Sequence, residues 1–224
     1  FMPPAPVVLC TSPYSVIQLA AMETKGSSKH IGVIVLAAGG SERMGQPKQL
    51  LPLAGRPMVY HVTSALVALG LSQVIVVTGA HAEAVGAALA DLPVAILVND
   101  SWADGMSSSM RTGLRALHPD IQAALLVLAD QPALTLDLLQ SLVTRYRVTG
   151  APIVAPAYRG QRGNPVLFDR TLFAELLSVR GDRGGRALID RYREQVELVV
   201  VDDPAVIADV DSPEDYQAML GGAK

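Results

Sequence analysis

Val33-Ile34-Val35-Leu36-Ala37-Ala38-Gly39-Gly40-Ser41-Glu42-Arg43-Met44-Gly45-Gln46-Pro47-Lys48-Gln49-Leu50-Leu51-Pro52 is the stretch on which the reading of this chain turns. Its apolar run stops abruptly in small residues, and two cations follow. Ile34, Val35 and Leu36 suit a strand covered on both faces. Ala38, Gly39 and Gly40 carry too little side chain to keep an anion off the backbone N–H groups, and Arg43 and Lys48 then supply positive charge. The order predicts a buried strand that delivers a phosphate-binding loop. Two better-known phosphate loops do not fit. A Walker loop needs Lys-Ser or Lys-Thr directly after its last Gly, whereas Gly45 is followed by Gln46-Pro47, and the Gly-x-Gly-x-x-Gly spacing of the dinucleotide fingerprint is absent.

Around this stretch lie 224 residues, half of them apolar and 17% charged, with a net charge of -3 and a mean hydropathy of +0.33. No window approaches the roughly 18 consecutive apolar residues of a spanning helix, so the hydrophobicity is expected in buried strands and no membrane partner is expected. A mildly acidic chain lacks the basic excess of nucleic-acid binders, whereas a small anionic ligand needs only a local basic site. One cysteine, Cys10, excludes an internal disulfide and a multi-cysteine metal cluster and fits a reducing cytoplasm. Residues 1–30, with prolines at 3, 4, 6 and 13 and the polar run Lys25-Gly26-Ser27-Ser28-Lys29, read as a flexible appendage to one domain spanning 31–222. Its apolar part follows no positive charge, as a secretory signal would. Phe1 opens the chain, and Met2 or Met22 is the expected initiator.

Downstream, Met58, Val59, Val62, Ala65, Leu66 and Leu69 recur at helical spacing between Pro57 and Gly70. Val74 to Thr78 reads as a strand, His81 to Ala90 as a short helix, and Val94 to Val98 as a strand ending at Asn99; such alternation predicts a parallel sheet. Ser107, Ser108 and Ser109 precede a helix marked by Met110, Leu114 and Leu117. Helix N-termini attract anions, while any one of these serines could serve only as an N-cap; Trp102 reads as packing. The apolar run Ala123 to Ala129 ends at Asp130, placing an acid at a strand tip where open α/β sheets bind ligands, unless it caps the helix beginning near Thr135. Ile153 to Ala157 is another strand, followed by a turn and Val166-Leu167-Phe168, a hairpin-like excursion at the sheet edge. The arginines of the glycine-rich loop Gly181 to Arg186 suit an anion or are solvated surface charges. After a last strand, Glu197 to Val201, the run Ser212-Pro213-Glu214-Asp215 marks a helix start. That leaves Asp211 unexplained by structure, with Asp209 the more structural of the two. His61 and His81 are assigned no role.

From Leu36 to Leu53 the chain matches L-A-A-G-x-S-x-R-M-G-x-P-K-x-L-L-P-L. It thereby resembles nucleotidyltransferases of the MobA/MocA type, which move a nucleotidyl group from a nucleoside triphosphate to a phosphorylated acceptor and release pyrophosphate. Further segments similar to that family's follow in chain order: Gly105 to Arg111, Asp130-Gln131-Pro132, Arg162 to Pro165, Gly181 to Arg186, and Asp209 to Asp215. The resemblance implies a three-layer α/β/α, Rossmann-like fold, mostly parallel, with an antiparallel excursion near the acceptor side. It implies catalytic roles for Arg43, Lys48 and Asp130, and nucleotide binding by Leu36, Ala37, Ala38, Gly39, Gly40, Ser41, Arg43, Lys48, Thr78, Gly79, Asn99, Gly105, Ser107, Ser109 and Arg111. Acceptor binding falls to Arg162, Asn164, Asp182 and Arg186, and Mg2+ to Asp130 and Asp211. Carboxylate oxygen is the ligand Mg2+ prefers, and a divalent cation neutralises charge that builds on a departing pyrophosphate. Such a transfer needs no nucleophilic residue, only positioning and charge neutralisation. Lys48, three residues past Gly45, is expected to reach the triphosphate and to contribute little to folding.

Within the family, the pattern is most similar to molybdenum cofactor cytidylyltransferases, on Ala37-Ala38-Gly39 where guanylyl members tend to have Ala-Gly-Gly. This implies CTP (or GTP) and a molybdopterin-type acceptor as substrates, a molybdoenzyme or its maturation chaperone as partner, and a cytoplasmic location. Rival expectations are a same-fold transferase acting on another phosphorylated acceptor, and a non-catalytic carrier of the molybdenum cofactor.

Overall fold

Every position of the first strand, β1 (Ile31–Ala37), is apolar or glycine, and helices cover both of its faces. In the computed structural model, which describes residues 29–41 and 44–222, Ile31, Val33 and Val35 enter one core while Ile34 enters the other. This is the period-two division of a strand with helices on both sides. A short antiparallel ribbon, β2 (Pro52–Leu53) and β3 (Arg56–Pro57), leads into α1 (Met58–Ala68), β4 (Gln73–Thr78), α2 (Ala82–Ala88), β5 (Ala95–Val98), α3 (Met106–Ala116), β6 (Ala123–Leu128) and α4 (Leu136–Thr149). Then come β7 (Ile153–Tyr158), β8 (Gln161–Arg162), β9 (Val166–Asp169), α5 (Phe173–Ser178), α6 (Arg186–Arg191), β10 (Val196–Val200) and α7 (Pro213–Gly222). Apart from Lys29 and His30, the expected appendage lies outside the described residues, as does Cys10.

The main sheet is ordered β10-β7-β9-β6-β1-β4-β5, with β8 paired to β7. Strands β6, β1, β4 and β5 are parallel, as are β7 and β10, whereas β9 runs antiparallel between β6 and β7. The Val166 segment is therefore inside the sheet, not at its edge as the sequence reading has it. Val166, Leu167 and Phe168 are 3%, 0% and 1% exposed, a burial on both faces that no edge position supplies. The edge falls instead to β10, where Val200 is 80% exposed.

Val59, Val62 and Leu66 of α1, Val85 of α2 and Leu139 and Leu142 of α4 fill one side of the sheet. Met110 and Leu114 of α3, Leu176 of α5 and Leu188 of α6 fill the other. Helix α3 lies against β1 because residue 113 is glycine; a Cβ there would come within 2.4 Å of Ile34 Cγ2. The result is a mixed α/β sandwich of three layers. From β1 the chain moves outward to β4 and β5 and then returns to β6 on the opposite side. That reversal makes a topological switch point at the carboxyl ends of β1 and β6, the place where open α/β sheets bind ligands. The Ala129 N–H donates to Leu36 O at 3.2 Å and locks the two strand ends together. Among the described residues, no helix is long and apolar enough to cross a membrane.

Helix α4 is capped by Thr135, whose hydroxyl accepts from Leu138 N at 3.3 Å, and it ends at Gly150 in the left-handed region, φ 63°. At its buried heart, the Tyr146 hydroxyl donates to Asp169 Oδ2 at 2.7 Å. Burial alone would raise the pKa of Asp169, but hydrogen bonds from Thr171 and Tyr146 and the charge of Lys29 outweigh it and hold the carboxyl below its ordinary value of 3.8. A depressed folded pKa contributes stability at pH above the unfolded value, and that contribution is lost as pH falls through the folded pKa. Urea titrations should therefore show an acid-labile increment of stability that Asp169→Asn lacks. Tyr146→Phe is expected to cost about 1.5–3 kcal/mol, the range for a hydrogen bond to a charged group.

Candidate active site

Past Ala37 the chain turns through Ser41, whose φ of 57° is left-handed without being glycine, and Met44 N donates to Ser41 O at 3.0 Å. Arg43, the first cation of the expected phosphate loop, lies outside the described residues. The loop then returns through Pro47 to a single 3-10 turn, Lys48–Leu50. Lys48 N donates to Ser41 Oγ at 3.0 Å, so the second cation is tied to the middle of the loop.

The Lys48 ammonium sits between two carboxylates. Its Nζ is 2.5 Å from Asp130 Oδ2 and 2.7 Å from Asp211 Oδ1, with side-chain exposures of 21%, 15% and 39% for Lys48, Asp130 and Asp211. Burial disfavours the ammonium, yet the charges and hydrogen bonds of Asp130 and Asp211 outweigh it and hold the amine above its ordinary pKa of 10.5. An exposed Lys48 that matters little to folding is thus not what the structure contains. One backbone and one side-chain contact fix the acids relative to each other: Val210 N donates to Asp130 O at 3.2 Å, and Gln131 Nε2 donates to Asp209 Oδ1 at 2.6 Å. Gln131, 1% exposed, escaped the sequence reading; a glutamine directly after a strand-tip acid gives no periodic signal. Burial, followed by the charge of Asp130, holds the Asp209 carboxyl above its ordinary pKa, with the hydrogen bond from Gln131 offsetting part.

Asp130 is no helix cap, since Thr135 fills that role. Its Oδ1 is buried and has no hydrogen-bond partner among the described residues, an unsatisfied acceptor that a cation would satisfy. Among the described residues no group of three or more His, Cys, Asp or Glu is placed to hold a metal unaided. Asp130 with Asp211 does fit a magnesium-like ion, which commonly takes one or two carboxylates and completes its shell with water and substrate phosphate.

The neighbouring wall is built from the ends of β4 and β5. Thr78 Oγ1 donates to Leu97 O at 3.0 Å, Asn99 N to Thr78 O at 2.8 Å, and Ala80 N to Ala38 O at 3.2 Å. Trp102 packs over Gly79 and Gly40; a Cβ on Gly79 would come within 2.6 Å of the Trp102 Cβ. Gly39 is exposed, and among the described residues a Cβ on it would meet nothing within 4 Å, so the loop is open to solvent there.

The three serines fall inside α3, not before it. Helix α3 begins at Met106 with Gly105 (φ 95°) at the cap position and no side-chain cap of its own. Ser107, Ser108 and Ser109 are 0%, 3% and 4% exposed, small enough for the helix to seat directly on Asn99. The Asn99 amide donates to Ser108 Oγ (2.7 Å) and Ser109 Oγ (3.0 Å). Arg111 donates to Ser107 Oγ at 3.2 Å and to Val179 O at 2.6 Å.

On the expected acceptor side, Asp182 Oδ1 accepts from Met106 N at 3.3 Å, so this loop reaches the positive end of α3. Arg162, half-buried, donates to Gly163 O at 3.1 Å. Burial, followed by the charge of Arg186, lowers its pKa, with Asp190 offsetting part; an anion lying between the two guanidiniums would relieve that repulsion. Asn164 N donates to Val206 O at 2.8 Å, which ties this segment to the chain leading to Asp211.

A mostly parallel sheet with a small-residue loop at its switch point, and a lysine and two carboxylates beside it, is a setting in which an enzyme can hold a nucleoside triphosphate. The chain belongs to the MobA-like NTP transferase family, whose domain description matches residues 33–196, and it is a nucleotidyltransferase. Among its relatives, nicotine blue oxidoreductase of Paenarthrobacter nicotinovorans is 33% identical over 196 residues, covering 84% of this chain and 95% of that protein. Molybdenum cofactor cytidylyltransferase of Escherichia coli is 27% identical over 191 residues, covering 83% and 93%. The Mycobacterium tuberculosis protein Rv0371C, solved as a complex with manganese, superposes with a TM-score of 0.75 at 31% identity, covering 87% of this chain and 100% of that one. The family is thus shared by proteins whose names denote different reactions.

Proposed function

We propose that this nucleotidyltransferase moves CMP from CTP to the phosphate of the molybdenum-molybdopterin cofactor, yielding the cytosine dinucleotide form and pyrophosphate. The observation that carries the reading is Lys48 bridging Asp130 and Asp211 beside the open loop at Gly39. Support for the cytidylyl branch comes from Ala37-Ala38-Gly39 and from the cytidylyltransferase relative. In the reaction an acceptor phosphate oxygen attacks the α-phosphorus in line, and the bond from that phosphorus to the bridging oxygen of pyrophosphate breaks. The loop from Leu36 to Ser41 and the wall of Thr78, Gly79 and Asn99 hold the nucleotide. Gly105, Ser107, Ser109 and Arg111 border it through α3. Lys48, with Arg43, opposes charge that increases as pyrophosphate leaves. Arg162 and Arg186 draw the anionic acceptor, with Asn164 and Asp182 shaping its seat.

Asp130 and Asp211 would hold a divalent cation, Mg2+ in the cell, which when bound neutralises the phosphates and polarises the P–O bond. The manganese complex of Rv0371C supports a divalent metal here.

The test is pyrophosphate release with each nucleoside triphosphate, with and without molybdenum cofactor. Cofactor-dependent release with CTP is the expected result; release with GTP or another acceptor reassigns the substrates. A second reading, oxidation–reduction, is raised by the name of the 33% identical relative. Cofactor-dependent absorbance change of a nicotinamide, with no pyrophosphate from any donor, would favour it, and silence in both assays would favour a carrier. Residues 1–30 precede the family match at 33–196, and we propose that they take no part in catalysis. A variant beginning at Met22 should turn over at the full-length rate, and a tenfold loss would refute the assignment.

A further inference from the structure

The geometry points to Gln49 as the residue that positions the nucleotide loop. It is 3% exposed in a chain segment that is otherwise partly open, and its amide is used at both ends. Nε2 donates to Gly39 O at 3.1 Å and to Ala37 O at 3.4 Å, while Oε1 accepts from the Ser41 hydroxyl at 3.1 Å. Ser41 Oγ in turn accepts from Lys48 N at 3.0 Å. One buried side chain therefore touches three residues of the loop and, through Ser41, the backbone of the lysine that holds both acids.

In a trans peptide the C=O of one residue and the N–H of the next point in opposite directions. With Ala37 O and Gly39 O drawn to the same amide, the N–H groups of Ala38 and Gly40 both face away from it. The intervening carbonyl, Ala38 O, is held by Ala80 N at 3.2 Å, so the peptide planes alternate. No Cβ interrupts the loop where it opens at Gly39. Two N–H groups aimed in one direction across an open glycine form a short backbone anion or polar-edge site. Gln49 sets that aim by gripping the far side of each peptide. This inference rests on the reading that residues 36–41 face the nucleotide, and it names the group that shapes them.

Gln49→Met keeps length and fills the buried space but cannot donate. Equilibrium binding of CTP with Mg2+, thermal melting, and KM for CTP and for the acceptor would be measured on the full chain. The expected result is a folded variant whose CTP dissociation constant rises about tenfold or more, equivalent to about 1.4 kcal/mol, with acceptor KM within about twofold of wild type. A purely structural glutamine would lower the melting temperature and leave CTP affinity unchanged, which would overturn the inference alone. If wild type binds none of CTP, GTP, ATP and UTP, both the inference and the proposed function fall. Should Gln49→Met not fold, Gln49→Leu, neutral and equally without a donor, takes its place. A folded variant with weakened CTP binding then supports loop positioning, and one that binds CTP as wild type does overturns it.

Discussion

Asp130→Asn is expected to lower kcat by about 10³, the upper end of the scale for losing one preorganised charge-stabilising group and worth about 4 kcal/mol of activation free energy. The side chain is 15% exposed, accepts from Lys48 Nζ at Oδ2, and keeps Oδ1 buried without a hydrogen-bond partner among the described residues. Asparagine preserves the shape and removes the charge. A half-withdrawn pair falls between exposed and fully buried ion pairs, so the stability cost should be only about 1–2 kcal/mol, since Lys48 retains Asp211. Steady-state turnover across a titration of divalent metal, with circular dichroism as the check on folding, decides the matter. Wild-type turnover at limiting metal would remove Asp130 from the chemistry.

Lys48→Ala should lower kcat by about 10² to 10³, or roughly 2.7–4 kcal/mol, because an ammonium that opposes charge on the leaving pyrophosphate acts mainly in the transition state. Its effect on stability is where the structure changes the expectation. Without the ammonium, Asp130 and Asp211 lose the cation they share, and a loss of about 1–3 kcal/mol follows. The sign of the pH dependence is fixed by the raised pKa of the amine. The contribution of Lys48 is fully present below the ordinary value of 10.5 and lost as pH rises through the higher folded value. Denaturation of wild type and variant should converge in strongly alkaline solution and diverge below it. A normal kcat with a collapsed melting temperature would make Lys48 a structural residue only.

The sheet centre was legible because its signals are local. β1 and β6 are apolar on both faces and end in a glycine turn or an acid, so the order of residues alone marks the strand ends at the switch point. β9 was misplaced because its partners, β6 and β7, are chosen by long-range pairing; yet Val166-Leu167-Phe168 lacks the alternation of an edge strand, and that was a readable cue. The serines of α3 were taken to precede the helix because hydroxyls favour caps. Here Asn99, brought in by β5, satisfies two of them from outside and frees the helix to begin earlier. Gln49 and Gln131 gave no warning, since an isolated buried amide has neither period nor charge and its partners come from other segments. The sequence reading named Lys48, Asp130 and Asp211 separately but not their meeting; the pairing of Lys48 with Asp211 spans 163 residues, and no sequence pattern specifies it.

If Asp130 and Asp211 take the metal as proposed, Lys48 also sets the order in which the site is filled. Its ammonium is a tethered competitor, held at high effective concentration against the two carboxylates a divalent cation would use. A free metal ion arriving alone must contend with that competitor and should bind weakly. A triphosphate offers the ammonium another partner and thereby vacates carboxylate oxygen. The two ligands then assist each other by one and the same factor, because coupling between binding sites is reciprocal. Calorimetric titration of metal into the protein, with and without a nonhydrolysable nucleotide, should reveal that shared factor, and its disappearance in a Lys48→Met protein would trace it to a single amine.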